Sequence, residues 1–194
     1  MIAIIDYDAG NVKSVQNALK KLGFEAVITS DIETIKNADK VIFPGVGEAS
    51  SAMKKLQERG LDAVIPNLKQ PVLGICLGMQ LMCNASEEGN TKALGIFDCE
   101  VKLFPNSDIV PHMGWNNVSE RKGKLLENIS ENDNFYFVHS YYAEVGESTT
   151  SVCDYITPFS ATLEKDNFYA AQFHPEKSGD AGFKLLKNFL NLRF

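Results

Sequence analysis

The sequence predicts an α/β fold: a central, mostly parallel sheet with helices on both faces and a smaller antiparallel portion in the second half. Three observations lead there. Short apolar runs at residues 2–5, 26–28, 41–43 and 72–75 alternate with segments of helical spacing, such as Val12, Val15, Leu19 and Leu22. Runs bounded by turns and separated by helices argue for a parallel sheet, because parallel strands need crossovers that lay helices over it. From residue 96 the character changes, and 96–104, 134–144, 151–156, 160–163 and 168–173 read as strands joined by short polar turns, part of them antiparallel.

Taken in order, the first half reads βαβα, and catalytic groups are expected at the C-terminal ends of its strands. Residues 105–110, with Asn106, Ser107 and Asp108, read as a flexible loop. The stretch 181–192 sets Phe183, Leu186, Phe189 and Leu190 at helical spacing and closes the fold. At 194 residues and 44% hydrophobic composition the chain suits one domain spanning 1–194. Its opening, MIAIIDYDAG, lacks the pattern of a signal peptide, and no run of about 18 apolar residues is present, so a cytoplasmic protein without a membrane span is expected. Net charge is −6 with scattered Lys and Arg, which lacks the electrostatic footprint of a nucleic-acid binder. The four cysteines, at 76, 83, 99 and 153, form no CxxC pair, so neither a metal module nor a disulfide framework is suggested.

Gly74-Ile75-Cys76-Leu77-Gly78 has the form G-x-nucleophile-x-G, with an apolar strand before it and a helix expected over 79–85. A strand that turns abruptly into a helix crowds the apex residue, and the flanking glycines leave room for it. The unpaired N–H groups of a helix start favour the thiolate, the reactive form of cysteine. Taken alone, a cysteine such as Cys76 is more often buried and inert; the strand, glycine and helix context reverses that and favours a nucleophile. Cys83, Cys99 and Cys153 lack such surroundings and read as structural.

A nucleophilic thiol needs a proton acceptor, and histidines stand at 112, 139 and 174. His174 follows an apolar run and precedes Pro175 and Glu176, so in extended backbone His174 and Glu176 project to one side. Pro175 would stiffen that geometry. The roles then follow triad logic: Cys76 attacks, His174 shuttles the proton, and Glu176 orients the imidazole. A loop histidine beside a surface glutamate is the bland alternative. Attack on a carboxamide places negative charge on its oxygen, for which Leu77 and Val46 are the expected backbone donors, the latter within Pro44-Gly45-Val46-Gly47 after the 41–43 strand. An ordinary turn would also account for that segment. Such chemistry calls for no metal and no organic cofactor.

Together these residues resemble the class I glutamine amidotransferases, and the resemblance covers nearly the whole chain. It implies a flavodoxin-like fold with a Cys-His-Glu triad that hydrolyses glutamine through a glutamyl thioester. Within that class, IIDYDAGNVKSV, FPGVG, GICLGMQLM, PHMGWN, FVHSYY and QFHPEKS are similar to the glutaminase subunits of imidazole glycerol phosphate synthases. Those subunits form heterodimers with a (β/α)₈-barrel cyclase subunit and pass it ammonia for histidine biosynthesis. The resemblance further implies that Gly47 and Gln80 contact glutamine, that the backbone of Ser140 and Tyr141 holds its amino-acid end, and that Asn11 belongs to the partner interface. Asp8 stands where the family's first loop has glycine.

PHMGWN gathers His112, Met113, the only tryptophan Trp115, and Asn116, a composition suited to a subunit contact, although a core corner would use it too. Other readings are a related glutaminase serving surface-polysaccharide sugar synthesis, a stand-alone cysteine hydrolase, and a non-catalytic module that kept the fold.

Overall fold

The computed structural model describes residues 1–193. The first half alternates strands β1 (Ile2–Ile5), β2 (Ala26–Thr29), β3 (Lys40–Gly45) and β4 (Val72–Cys76) with helices α1 (Val12–Lys21), α2 (Ile32–Lys36), α3 (Ala49–Glu58) and α4 (Leu61–Val64). Helix α5 (Leu77–Leu81) follows β4 without a break. The short strands β5 (Ala85–Ser86) and β6 (Thr91–Lys92) come next, then β7 (Glu100–Leu103), β8 (His112–Asn116), β9 (Phe135–His139) and β10 (Tyr141–Ala143). Strands β11 (Thr149–Asp154), β12 (Pro158–Lys165) and β13 (Phe168–Ala171) lead to the closing helix α6 (Gly179–Asn191).

Among the described residues the main sheet has seven strands in the order β11-β12-β13-β4-β3-β1-β2. From β2 to β13 the pairings are parallel, and β12 and β11 add an antiparallel edge. The order 2-1-3-4 followed by β13 is that of doubly wound sheets, which bind ligands beyond the strands' carboxyl ends. The sheet is central because β1, β4 and β13 are buried at every residue, with one apolar cluster on each face. Full burial explains why these strands read as continuous apolar runs. No helix among the described residues is long and apolar enough to cross a membrane.

Several expected boundaries shift, each for a physical reason. The segment 134–144 is not one strand. Antiparallel β9 pairs with β8 and β10 pairs with β7, and the chain changes sheets at Ser140, whose carbonyl accepts from Phe104 N–H. Within 96–104 only Glu100–Leu103 is strand, since Ile96 and Phe97 bond back to the Met82 carbonyl. The helix after Cys76 covers Leu77–Leu81 rather than 79–85, because Asn84 N–H turns away to the Cys99 carbonyl and Ala85 enters β5. PHMGWN contains strand β8, which the pattern of residues did not announce. Asp8, in place of the expected glycine, takes a left-handed φ of 60° that aspartate tolerates better than most residues, and its carboxylate pairs with Arg59.

Candidate active site

Cys76 is the last residue of β4 and immediately precedes α5, with φ 54° and ψ −112°. A side-chain-bearing residue rarely holds positive φ, so the surrounding packing must impose it. The packing does so through close backbone contact. Cys76 is in parallel register with Gly45 of β3, and a Cβ on Gly78 would overlap the Phe43 carbonyl oxygen. A Cβ on Gly74 would collide with the Met82 sulfur, so both glycines around the cysteine are sterically required.

His174 lies just beyond β13, the other neighbour of β4. Its N–H donates to the Tyr136 carbonyl of β9 at 2.9 Å, while Ser178 Oγ donates to the His174 carbonyl at 2.6 Å and accepts from Tyr136 N–H at 2.9 Å. The preceding Phe173 is fully buried and stacks on Phe135 with centroids 4.1 Å apart. Burial of each such ring contributes about 1.5–3 kcal/mol, which fixes the backbone that carries the imidazole.

The expected extended geometry from His174 to Glu176 is replaced by a 3₁₀ turn over Pro175–Lys177. His174 itself is extended, as a residue before proline tends to be, and the turn folds the carboxylate back. Glu176 Oε1 lies 2.8 Å from His174 Nδ1, with both side chains almost wholly buried. That bond leaves Nε2 as the ring nitrogen free to act, and among the described residues it has no hydrogen-bond partner. Burial works to lower the His174 pKa, but the Cys76 sulfur and the Glu176 carboxylate reverse this and push it up to about 10.

Cys76 and His174, nearly a hundred residues apart in sequence, line one cavity of about 360 Å³. Val46, Leu77, Gly47 and Gln80 line it too, as do Ser140 and Tyr141. Gly47 has φ 100°, and Val46 is exposed at the mouth. Leu77 opens α5, where backbone N–H groups precede the first intrahelical bond.

Three wall residues had not been singled out: Glu88, Val138 and His139. Glu88 accepts from Ala49 N–H at 2.8 Å, and burial raises its carboxyl pKa despite that bond. Gln172 is another addition. Fully buried, it donates to Cys76 Sγ at 3.7 Å and accepts from Gln80 Nε2 at 3.0 Å.

The residues of PHMGWN separate by strand alternation. Met113 and Trp115 are 63% and 59% exposed, which makes them surface groups, whereas His112 points inward, stacked between Phe137 and Tyr155. Asn116 and Asn11 are half-buried, and neither lines the cavity. Cys83, Cys99 and Cys153 also lie outside it.

A thiol on a strained elbow, an imidazole held by a carboxylate, and backbone donors around an open cavity can perform nucleophilic attack on an acyl group. Comparison with known proteins gives this chemistry a family. The model of the class I glutamine amidotransferases matches residues 3–192. The chain belongs to that family. It is 60% identical to the imidazole glycerol phosphate synthase subunit HisH of Bacteroides fragilis, over 98% of this chain and 99% of that one. Identity to the HisH subunit of Bacteroides thetaiotaomicron is 57%, with the same coverage. Among solved structures, PurLQS from Thermotoga maritima superposes with a TM-score of 0.73 over 98% of this chain and 97% of that one. At 16% identity that likeness speaks for the fold alone. The amidotransferase fold expected from sequence is thus the one observed.

Proposed function

We propose that this chain is the glutaminase subunit of an imidazole glycerol phosphate synthase. The observation that carries the reading is the meeting of Cys76 and His174 in one cavity, with Glu176 on the ring's other nitrogen, in a chain 60% identical to a HisH subunit. Glutamine enters with its side-chain amide toward the sulfur. Glu88 faces the α-ammonium group, and the backbone of Gly47, Ser140 and Tyr141 holds the α-carboxylate.

Cys76 Sγ passes its proton to His174 Nε2 and attacks the amide carbon, and the carbonyl oxygen takes up the negative charge in a site made by the N–H groups of Val46 and Leu77. His174 Nε2 gives its proton to the amide nitrogen, the C–N bond breaks, and ammonia leaves behind a glutamyl thioester. Water then attacks that thioester while Nε2 accepts its proton, and the C–S bond breaks to release glutamate. Glu176 keeps Nδ1 protonated and the ring in place throughout.

Ammonia passes to a (β/α)₈-barrel cyclase subunit, where it joins a phosphoribosyl-formimino-aminoimidazole carboxamide nucleotide. The products are imidazole glycerol phosphate and an aminoimidazole carboxamide ribotide. In this reading the chain is a single domain acting in the cytoplasm, and its partner docks over the face that carries Met113, Trp115, Asn116 and Asn11. The exposure of Met113 and Trp115 supports this.

The test is ammonia release from glutamine, with and without the cyclase and its nucleotide ligand. Turnover that rises with the histidine-pathway cyclase and vanishes in Cys76→Ala supports the proposal. Full activity in Cys76→Ala would sink it, and indifference to that cyclase would favour another acceptor.

A further inference from the structure

Two buried histidines are not used by this chemistry, and they face each other across a strand pair. His112 of β8 and His139 of β9 are direct partners in the antiparallel register, 4% and 6% exposed, with His112 Nδ1 3.0 Å from His139 Nε2. Their tautomers follow by elimination. His139 Nδ1 lies 2.8 Å from the Tyr141 carbonyl, which can only accept, so Nδ1 carries the hydrogen and Nε2 of the neutral ring must accept. His112 Nδ1 is therefore a donor, and its Nε2 is the acceptor for Asn116 Nδ2 at 3.5 Å. The Tyr141 carbonyl receives a second bond from Gln80 Nε2 at 2.8 Å, and Gln80 continues through Gln172 to Cys76 Sγ.

We propose that His112 and His139 are positioning residues, which as neutral Nδ1–H tautomers hold the Tyr141 carbonyl and the Gln80 amide in place as the wall of the cavity. They tie Asn116, on the strand that exposes Trp115, to the floor beneath Cys76 in one hydrogen-bonded chain. Burial supports the neutral forms, with the His112 pKa lowered to about 4 and that of His139 to about 3. The titratable groups around them, Tyr155 and Tyr142 by way of Phe104, and His174, offer no carboxylate that would draw a proton onto either ring.

The kinetic consequence rests on the glutaminase reading, but the tautomers do not. Nitrogen-15 NMR of the histidine-labelled full chain at pH 6 should find both rings neutral and protonated at Nδ1. An Nε2–H tautomer or an imidazolium at either position would overturn the proposal. His112→Phe keeps an aromatic ring between Phe137 and Tyr155 but removes the donor, while His112→Asn restores a donor near Nδ1 and loses the ring. With the cyclase present, His112→Phe should raise the KM for glutamine about tenfold, or ~1.4 kcal/mol, with kcat changed less than threefold. His112→Asn should recover KM to within threefold even though its Tm falls below that of His112→Phe. Wild-type KM in His112→Phe, or losses in both variants that merely follow Tm, would overturn the proposal. A wild type that releases no ammonia would refute the glutaminase reading, and the NMR result would still decide the histidine chain.

Discussion

Acidification should destabilise this protein well above the pH at which carboxylates protonate. Protonating His139 at Nε2 would set one N–H against another, and protonating His112 would break its bond from Asn116, so both rings resist charging while folded. Their pKa values of about 3 and about 4 lie below the ordinary 6.5, so between those limits the unfolded chain binds protons that the native state refuses. Stability that is full above pH 6.5 is then lost as the pH falls. Each ring contributes about 1.4 kcal/mol per pH unit, so the pair removes at most ~4 kcal/mol between pH 6.5 and 5. That is a large share of a typical stability of about 5–15 kcal/mol. Glu88 and Glu164, whose carboxyl pKa values burial raises, act in the opposite direction and blunt the fall. His174 shapes the alkaline side: its raised pKa gives stability that is fully present below 6.5 and lost as the pH climbs through about 10. Urea unfolding followed by far-UV circular dichroism at half-unit steps from pH 5 to 8 measures the slope; the exposed Trp115 would be a poor reporter. A free energy flat from pH 6.5 to 5 would refute the reasoning.

Replacing Glu176 by Gln keeps the shape but removes the charge opposite His174, and should lower kcat for glutamine hydrolysis by about 10²–10⁴-fold and lower the urea midpoint, since the carboxylate that helps raise the His174 pKa is lost; unchanged kcat would remove Glu176 from the mechanism. Tyr7 OH donates to the Pro44 carbonyl at 3.0 Å inside the core, so Tyr7→Phe should cost about 1–3 kcal/mol in urea unfolding, as expected for an orphaned buried carbonyl. Trp115→Ala should change stability by less than about 0.5 kcal/mol in urea unfolding, as surface substitutions do, yet weaken binding to the cyclase by about 2 kcal/mol or more in calorimetric titration of the two subunits; wild-type affinity would remove Trp115 from the interface.

The parts of the molecule legible in the sequence are those whose causes are local. Strands β1 and β4 are buried on both faces, so their apolar runs stand out without knowledge of neighbours. Cys76 announces itself through Gly74 and Gly78, which the turn requires on steric grounds. His174 and Glu176 lie two residues apart, close enough for sequence to suggest their pairing even though the turn between them was read as extended. What stayed hidden depends on residues brought together from afar. Strand β8 mixes His, Met, Gly, Trp and Asn with no apolar alternation, and only its pairing with β9 makes it a strand. Glu88, Gln172 and Ser178 are polar residues whose purpose appears only when the carbonyls and amides they satisfy are known.

The change of sheets at Ser140 has a mechanical consequence. Cys76 belongs to the seven-stranded sheet, His139 to the two-stranded ribbon and Tyr141 to the four-stranded sheet, so the cavity is a seam where three separately laddered pieces abut. Among the described residues no continuous backbone ladder runs across that seam, so it should part without unravelling any one sheet. Anything that fills it stitches the three together, so amide exchange around residue 140 would slow on occupancy while the interior of β4 kept its own pace.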